Sequence, residues 1–211
     1  LKLWAEKIKK TGYFAFDTET NGLNPQFDKI VGFSLATSAG EACYVPLNHF
    51  KSDEKSNLDL FGATQTNAPQ QLSYEIITKY LKPLFEGKSI LKIGHNIKFD
   101  MHFMQQVLGA DCLIAPYDDT AVISYVLDGT EHGHGLDELA KTYFDHQMIA
   151  YEEVCGSGKN KITFDKVELD QALAYAAEDA DFTLRLHQVL KPRLISEHQM
   201  SVYEDLDRPL V

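Results

Sequence analysis

The sequence predicts an α/β domain built on a mixed sheet. Short apolar runs cluster in the first fifty residues, and helical patterns dominate after residue 72. One further strand pattern, SILKIG at 89–94, lies between two of those helices. Strands interleaved with helices in this way indicate a sheet covered by helices. The 211 residues are enough to bury one sizeable core, so we expect one main domain.

The first fifty residues predict one helix and three strands. The opening segment offers apolar residues on one side, and Gly12 ends it. The strand candidates are rich in aromatic and aliphatic residues, and turn-forming residues separate them. The helix is predicted at 2–10 and the strands at 13–17, 29–37 and 41–47, the last two as a hairpin around the turn at 38–40.

The remainder of the chain predicts helices around one strand. Residues 51–70 are polar and lack a clean period, so we expect a long surface loop. Asn96 is expected to cap the helix that follows it, because an Asn side-chain oxygen accepts hydrogen bonds from the first N–H groups of a helix. Helices are predicted at 72–85, 96–108, 136–144 and 169–194, and another after Asp119 with Ala121, Val122, Tyr125 and Val126 as its apolar face.

Composition disfavours several classes of protein. No apolar run approaches the roughly 18 residues of a membrane span, and the first residues lack the apolar region of a signal peptide. Cys43, Cys112 and Cys155 form no paired motif, so we expect free thiols in a reducing compartment. The net charge of −11 disfavours an anionic membrane surface. It also disfavours nucleic acid, unless bound cations reverse the local field.

An acidic pair ends the first predicted strand. In FAFDTET, Asp17 and Glu19 are two residues apart, so their side chains point to the same side of the strand. Ligands and catalytic groups in α/β sheets lie at strand ends. Two carboxylates repel each other there unless a cation holds them. The alternative is a solvated strand end at which Thr18 and Thr20 cap a turn.

Further acids follow at two other predicted junctions. Asp100 falls in the first turn of a helix, where the helix dipole is an alternative explanation. Tyr175 and Asp179 are four residues apart on one helix face, which Ala172 and Phe182 mark as facing protein. The alternative is a buried Tyr whose hydroxyl is satisfied by a carboxylate. Four oxygen donors favour Mg²⁺ or Mn²⁺, and pairs of such ions recur in enzymes that cleave phosphodiesters.

FDTET, HNIKFD and YAAEDAD occur in this order, and with them the chain resembles the 3′–5′ proofreading exonuclease domains of bacterial DNA polymerase I, in the Tyr subclass of the four-acid exonucleases. The resemblance continues through LKPLFE, HGLDELA, YEEVCGSGKNKITF and YEDLDRPLV. It implies a ribonuclease-H-like fold, a five-stranded mixed sheet flanked by helices. It also implies an exonuclease domain over residues 1–200, with 201–211 leading towards a polymerase domain.

The resemblance assigns a metal site and a water-positioning residue. Asp17, Glu19, Asp100 and Asp179 would ligate two divalent cations, Mg²⁺ or Mn²⁺, with Zn²⁺ as an alternative at one site. Tyr175 would orient the nucleophilic water. These five residues are the expected catalytic set.

Further residues are expected to contact DNA. The resemblance implies that Leu23 wedges near the terminal base and that Asn96 contacts the terminal nucleotides. It also implies that Thr18 contacts the bound DNA strand. Tyr151 stands where the family often has Phe, and its aromatic face keeps the capacity to stack on bases. Lys159 and Lys161, in the Gly-rich loop that follows, are candidate phosphate contacts, with a solvated loop as the alternative.

The expected function is therefore a metal-dependent 3′–5′ exonuclease. It would release nucleoside 5′-monophosphates from single-stranded or frayed DNA 3′ ends and proofread for a polymerase domain in the same chain. We expect a monomer in the bacterial cytoplasm, associated with the nucleoid and with no membrane partner. One alternative is a ribonuclease D-like enzyme that trims RNA 3′ ends with the same acids and Tyr. The other is a catalytically silent strand-binding domain.

Overall fold

Five strands form one mixed sheet in the computed structural model, which describes residues 1–50 and 71–211. The strands are β1 (Tyr13–Thr20), β2 (Ile30–Ser38), β3 (Glu41–Pro46), β4 (Leu91–Gly94) and β5 (Tyr117–Asp119). Their order across the sheet is β3-β2-β1-β4-β5. β2 lies antiparallel to β1 and β3, whereas β1, β4 and β5 run parallel. The predicted α/β class with a five-stranded mixed sheet is confirmed.

Helices cover the sheet and connect its parallel strands. They are α1 (Lys2–Thr11), α2 (Tyr74–Phe85), α3 (Ile97–Leu108), α4 (Thr120–Asp128), α5 (Leu136–Phe144), α6 (Tyr151–Cys155), α7 (Leu169–Ser196) and α8 (Met200–Val202). Shorter helical turns lie at Gly158–Asn160, Phe164–Lys166, Tyr203–Asp207 and Arg208–Leu210. The predicted long last helix is confirmed as α7, and the predicted end of the first helix is confirmed by Gly12 in a left-handed conformation.

The sequence did not predict the short elements β5 and α6. β5 has three residues, two of them Asp, a residue type that is depleted in strands. α6 has five residues, which is too short for a helical period to register. The loop predicted over 51–70 lies outside the described residues.

The central strand β1 separates two layers of core. Phe14 and Phe16 point into the cluster formed with α1, α2 and α3. Ala15, between them, points to the opposite face, where it packs with Ala180 and Leu184 of α7. Because the facing residues Ala15 and Ala180 are small, α7 lies close to the sheet. Residues that continue the Ala15 series along β1 therefore face α7.

The predicted side-chain cap at Asn96 is wrong. Asn96 is exposed, its backbone is left-handed at φ 59° and ψ 44°, and its side chain makes no capping hydrogen bond. The Asp119 carboxylate takes that place and accepts hydrogen bonds from the backbone N–H groups of Asn96 and Ile97 at 3.0 and 2.9 Å. A long-range acceptor has therefore displaced the local one.

The apolar face predicted for α4 is only partly correct. Val122 and Val126 are half-buried against a cluster that includes Leu186 of α7. Tyr125, however, is 58% exposed. The buried positions of α4 are Thr120, Ile123 and Ser124. The Thr120 hydroxyl is hydrogen-bonded to His95 at 2.8 Å and the Ser124 hydroxyl to His134 at 2.9 Å, so both polar groups are satisfied in the interior.

Within the described ranges, no helix combines the length and the apolar character that crossing a membrane requires.

Candidate active site

The acidic pair of β1 lies beyond the point where β1 and β4 separate. The parallel pairing ends at Ala15 opposite Ile93, and β4 itself ends at Gly94. Asp17 and Glu19 continue the alternation of Ala15, so both side chains face α7. The gap between the strands forms a crevice at their carboxyl ends, which is where α/β sheets bind ligands.

Asp179 joins this pair from the long helix. It precedes Ala180, whose small side chain lies against Ala15 and lets α7 approach the sheet. Asp179 is buried, and its carboxylate meets those of Asp17 and Glu19. One ligand oxygen from each of the three residues lies within 4.8 Å of the other two. Residues far apart in the sequence thus converge on one cluster of oxygen atoms.

Asp100 reaches the same place from the opposite side of the sheet. It lies in the first turn of α3 and is buried. Its Oδ1 accepts hydrogen bonds from the backbone N–H of Thr18 at 2.9 Å and from the Thr18 hydroxyl at 2.5 Å. Within residues 1–50 and 71–211, β1 has no strand neighbour on this side beyond Ala15, so Asp100 takes the position of a strand acceptor.

Burial and mutual repulsion raise the pKa values of all four carboxyls. Burial raises the pKa of Asp17 to about 7. The pKa values of Glu19, Asp100 and Asp179 lie well above their ordinary values, first because of burial and then because Asp17 is a charged neighbour of each. Among residues 1–50 and 71–211, no lysine or arginine is one of the groups that act most strongly on these four pKa values.

The donor set fits a divalent cation. All the converging atoms are carboxylate oxygens, the ligands that Mg²⁺ and Mn²⁺ prefer. Glu19 Oε1 is buried and has no hydrogen-bond partner in the described part of the chain. A buried carboxylate oxygen without a partner is costly, and a cation would satisfy it. No imidazole or thiol belongs to this group of described residues, so the set does not single out zinc.

Tyr175 lies one helical turn before Asp179 and is half-buried. Burial raises its pKa above the ordinary value, and the charges of Asp179 and Glu19 raise it further. The phenol is therefore close enough to sense the cluster and remains protonated at neutral pH. The rings of Tyr151 and Phe164 lie 6.3 and 5.8 Å from the Tyr175 ring, centroid to centroid, and restrict its orientation.

The residues predicted to contact DNA lie in different environments. Leu23 is 84% exposed on the loop after β1, at the same end of that strand as the acids. Asn96 is exposed after β4, at the corresponding end of the parallel neighbour. Thr18 is buried, with its hydroxyl engaged by Asp100.

The other three predicted contacts surround α6. Tyr151 is half-buried at the start of that helix, beside the Tyr175 ring. Lys161 places its Nζ 5.0 Å from the centroid of the Tyr151 ring. Lys159 is exposed on the neighbouring helical turn. The structure thus brings Tyr151 and Lys161 to the Tyr175 side of the crevice.

Sequence reasoning missed two residues that lie beside Glu19, Gly32 of β2 and Tyr44 of β3. Gly32 is the cross-strand partner of Glu19, and the Tyr44 hydroxyl occupies the space in which a Cβ on Gly32 would stand. Burial raises the Tyr44 pKa, as do the charges of Glu19 and Asp17. The hydroxyl also contacts His49 Nε2 at 2.7 Å. No local pattern marks Gly32 or Tyr44, because only the strand register brings them to the acids.

Asp179→Asn is expected to stabilise the cation-free protein at neutral pH. A carboxyl whose pKa is raised on folding destabilises the folded state above its unfolded pKa of about 4, by about 1.4 kcal/mol per pKa unit. Neutralising it should raise Tm by about 2–4 °C per kcal/mol for a chain of this size. Thermal unfolding in EDTA at pH 7.5 and at pH 4 measures this.

The gain should shrink to about 0.5 kcal/mol near pH 4, because the carboxyl is then protonated in the folded state and about half protonated in the unfolded state. Mn²⁺ should stabilise the wild-type protein more than the variant, since a ligand raises stability only where it binds. A lower Tm for the variant in EDTA at neutral pH would contradict the repulsion assigned to this cluster.

Sequence comparisons show which known proteins the chain as a whole resembles. A family profile described as 3′-5′ exonuclease matches residues 1–195. DNA polymerase I of Rhizobium leguminosarum is 42% identical over 221 residues, which cover 100% of this chain and 21% of that protein. DNA polymerase I of Pseudomonas aeruginosa is 37% identical over 209 residues, covering 99% of this chain and 21% of its own length. The chain thus spans about a fifth of the length of these relatives.

Solved structures share the fold. NrnC of Brucella melitensis, in a structure with bound Mg²⁺, superposes with a TM-score of 0.66 at 24% identity, covering 93% of this chain and 80% of that one. Ribonuclease D of Escherichia coli gives a TM-score of 0.67 at 16% identity, covering 98% of this chain and 46% of that one. At these identities the likeness concerns the fold, a ribonuclease-H-like arrangement, and not the substrate.

Proposed function

The chain belongs to the 3′-5′ exonuclease family, and from that premise we propose that it hydrolyses DNA from the 3′ end with the help of divalent cations. The observation that carries the proposal is the convergence of Asp17, Glu19 and Asp179 within 4.8 Å, with Asp100 beside them. No lysine or arginine in the described part of the chain acts strongly on these carboxyls, which supports a cation as their counter-charge.

Asp17, Glu19, Asp100 and Asp179 are the residues that would hold two ions, Mg²⁺ or Mn²⁺, with Zn²⁺ as an alternative at one site. When bound, such ions activate an attacking water and stabilise the leaving oxygen of a phosphodiester. They would also offset the local negative charge, and so reconcile a chain of net charge −11 with a polyanionic substrate.

The protein side chains position the reacting water. The Tyr175 phenol stays protonated next to the acids and is available to donate a hydrogen bond to the water oxygen. Glu19 Oε1 is buried, has no hydrogen-bond partner among the described residues, and is available to accept a hydrogen bond from the same water. The water oxygen forms a bond to the phosphorus of the terminal phosphodiester and releases a proton to solvent. The bond from that phosphorus to the 3′ oxygen of the penultimate nucleotide breaks, and this oxygen takes up a proton from solvent. The products are a nucleoside 5′-monophosphate and a strand with a new 3′ hydroxyl.

Neighbouring residues would hold the strand. Leu23 is an exposed apolar side chain at the carboxyl end of β1, suited to wedge against a terminal base. The side-chain amide of Asn96, which follows β4, makes no capping hydrogen bond to α3 and is available to a ligand. Thr18 would contact the strand only through the surface that Asp100 leaves accessible. On the other side of the crevice, Tyr151 offers a ring for stacking and Lys161 a charge for a phosphate, with Lys159 as a second charge.

We further propose that this exonuclease proofreads for a polymerase domain in a longer chain. The relatives from Rhizobium leguminosarum and Pseudomonas aeruginosa are DNA polymerases I, and the chain spans about a fifth of the length of each. Mispaired 3′ ends unpair more readily, so a site that takes single strands removes them preferentially. The exonuclease unit would comprise residues 1–200, and 201–211 would begin the connection, docked through the fully buried Tyr203. We expect a monomer in the bacterial cytoplasm, associated with the nucleoid.

Two rival functions share features with this one. A ribonuclease D-like enzyme would use the same acids and Tyr on RNA, and the fold does not discriminate because ribonuclease D shares it. A catalytically silent strand-binding domain would bind no cation and cleave neither nucleic acid. The identity to DNA polymerases I over nearly the whole chain favours DNA as the substrate.

A digestion time course tests the proposal. A 5′-labelled single-stranded DNA is incubated with Mg²⁺, an RNA of the same sequence in parallel, and EDTA as control. We expect a DNA ladder that shortens from the 3′ end and disappears with EDTA. Preferential trimming of the RNA would favour the ribonuclease, since the 2′-hydroxyl is what distinguishes RNA at such a site. No cleavage in Mg²⁺ or Mn²⁺ would favour the silent domain.

Lys161→Ala is expected to weaken single-stranded DNA binding in a salt-dependent manner. Each lost phosphate contact lowers the slope of log affinity against log salt by about 0.7 for single strands. Lys10→Ala is the matched control, because Lys10 is exposed on α1, which packs on the other face of the sheet. Fluorescence anisotropy in Ca²⁺ between about 50 and 300 mM salt, a roughly sixfold range of salt concentration, measures both slopes. Equal slopes for the two variants would show that Lys161 makes no phosphate contact with the bound strand.

A further inference from the structure

We propose that Asp119 is a positioning residue for strand binding and cleavage, because its carboxylate fixes Asn96 and the start of α3 at the crevice. Asp119 is 2% exposed and lies at the end of β5, beside Gly94 of β4. This inference rests on the proposed exonuclease function. It adds a residue that is neither a proposed cation ligand nor a proposed DNA contact, and that acts through Asn96.

The backbone of Asn96 is held in a specific conformation. Its φ of 59° and ψ of 44° are left-handed, a conformation that few residue types with a side chain adopt and that Asn adopts more readily than most. The Asn96 N–H donates to Asp119 Oδ1 at 3.0 Å, and the Ile97 N–H donates to Oδ2 at 2.9 Å. Both carboxylate oxygens therefore hold the backbone, and the exposed Asn96 amide is left available to a ligand.

The same carboxylate also caps α4. Oδ1 accepts from the N–H groups of Ala121 and Val122 at 2.9 and 3.4 Å. A buried anion is thus shared by the N-termini of two helices, where N–H groups lack partners and the helix dipoles favour negative charge. The shared cap locks α3 and α4 in one relative position, so a change at Asp119 moves the start of α3.

Asp119 is itself held by the segment after α8. The Asp119 N–H donates to the Tyr203 hydroxyl at 3.0 Å, and that hydroxyl donates to Asp118 Oδ1 at 3.0 Å. Asp118 also binds His187 Nε2 at 2.7 Å and Lys191 Nζ at 3.0 Å. The two adjacent carboxylates therefore have separate tasks: Asp118 binds the His187 and Lys191 side chains of α7, and Asp119 binds backbone N–H groups.

The start of α3 matters because it carries two groups of the site. Asn96 and Asp100 are separated by about one helical turn, and Asp100 Oδ1 depends on its 2.5 Å contact with the Thr18 hydroxyl. A displacement of about 1 Å in a positioning element is enough to reduce a rate by about two orders of magnitude. Loss of the Asp119 cap is therefore expected to weaken strand binding most and to slow cleavage to a smaller extent.

Asp119→Asn is the first test. The variant keeps the shape but places an NH₂ group either against the Ile97 N–H at Oδ2 or against the N–H groups that Oδ1 accepts, including that of Asn96. In either orientation, an N–H at the start of α3 loses its acceptor. We expect a fall of about tenfold or more in affinity for a labelled single-stranded oligothymidylate in Ca²⁺, and a rise in KM larger than the fall in kcat in Mg²⁺. Tyr203→Phe removes the hydroxyl that holds Asp119 and should change the same quantities less, which keeps the test informative if Asp119→Asn folds poorly.

Asp128→Asn is the matched structural control. The Asp128 carboxylate lies at the far end of α4, 15% exposed, and binds Arg193 and the Tyr143 hydroxyl. Its loss should lower Tm without changing oligothymidylate affinity or KM. Equal effects of Asp119→Asn and Asp128→Asn on affinity, at similar losses of Tm, would overturn the inference.

A double-mutant cycle with Asn96→Ala locates the effect. If Asp119 acts through Asn96, adding Asp119→Asn to Asn96→Ala should change oligothymidylate affinity by less than about twofold. Effects that multiply would also overturn the inference. Wild-type protein that binds the oligonucleotide without cutting it would contradict the proposed function while the cycle still decides the role of Asp119. Wild-type protein that neither binds nor cuts DNA would overturn both.

Discussion

Asp179→Ala is expected to lower the rate of DNA 3′-end cleavage by about three orders of magnitude or more, which corresponds to about 4 kcal/mol of lost transition-state stabilisation. Asp179 contributes one of the three carboxylate oxygens that converge within 4.8 Å. Removing it would leave an incomplete set of ligands. The fold should persist, because the lost carboxylate repels its neighbours in the absence of a cation. Single-turnover cleavage of a 5′-labelled oligonucleotide measures the effect.

Asp170→Ala is the matched control for this prediction. Asp170 lies in the first turn of the same helix, α7, and is exposed. Its replacement removes an equal charge without touching the cluster, so cleavage should stay near the wild-type rate. If Asp179→Ala cleaved as fast as Asp170→Ala while both remained folded, the assignment of Asp179 as a ligand would be wrong.

Tyr175→Phe is expected to lower kcat by about one to two orders of magnitude, at the lower end of what a positioned proton donor contributes. The phenyl ring keeps its packing against Tyr151 and Phe164, so only the hydroxyl next to the acids is lost. The stabilisation of the protein by Mn²⁺ should be unchanged, because the hydroxyl is not among the proposed ligands. Rapid-quench kinetics and thermal unfolding with Mn²⁺ measure the two quantities separately.

Tyr143→Phe controls for the loss of a phenol hydrogen bond as such. The Tyr143 hydroxyl donates to Asp128 and lies on α5, outside the proposed catalytic set. That variant should lose some stability and keep its kcat. A Tyr175→Phe variant with wild-type kcat would show that the hydroxyl has no part in catalysis and would favour the structural alternative, a buried Tyr whose hydroxyl is satisfied by a carboxylate.

Much of the site could be predicted from local pattern. The alternation along β1 already indicates that Asp17 and Glu19 share a face, because strand side chains repeat every two residues. The four-residue spacing of Tyr175 and Asp179 likewise indicates one helix face. Both statements require only a correct assignment of strand or helix, and the apolar runs around these residues provide it.

Other features depend on contacts between distant parts of the chain. Asp100 meets Thr18 across 82 positions of sequence, at an edge of β1 that is open only because β4 ends early. The cap of α3 comes from Asp119 and not from Asn96, because a buried carboxylate with two oxygens satisfies the backbone better than a local amide. No window of sequence around Asn96 contains that acceptor.

The sequence by itself determined the class of fold, the long helices and the identity of the acids, because periodicity and residue chemistry are local properties. Only the tertiary structure decided how these parts meet. The register of β2 and β3 places Gly32 and Tyr44 beside Glu19, and the small residues Ala15 and Ala180 bring α7 to the sheet. Such placements arise from the packing of whole elements, whose energy is spread over many distant contacts, and so no single stretch of sequence records them.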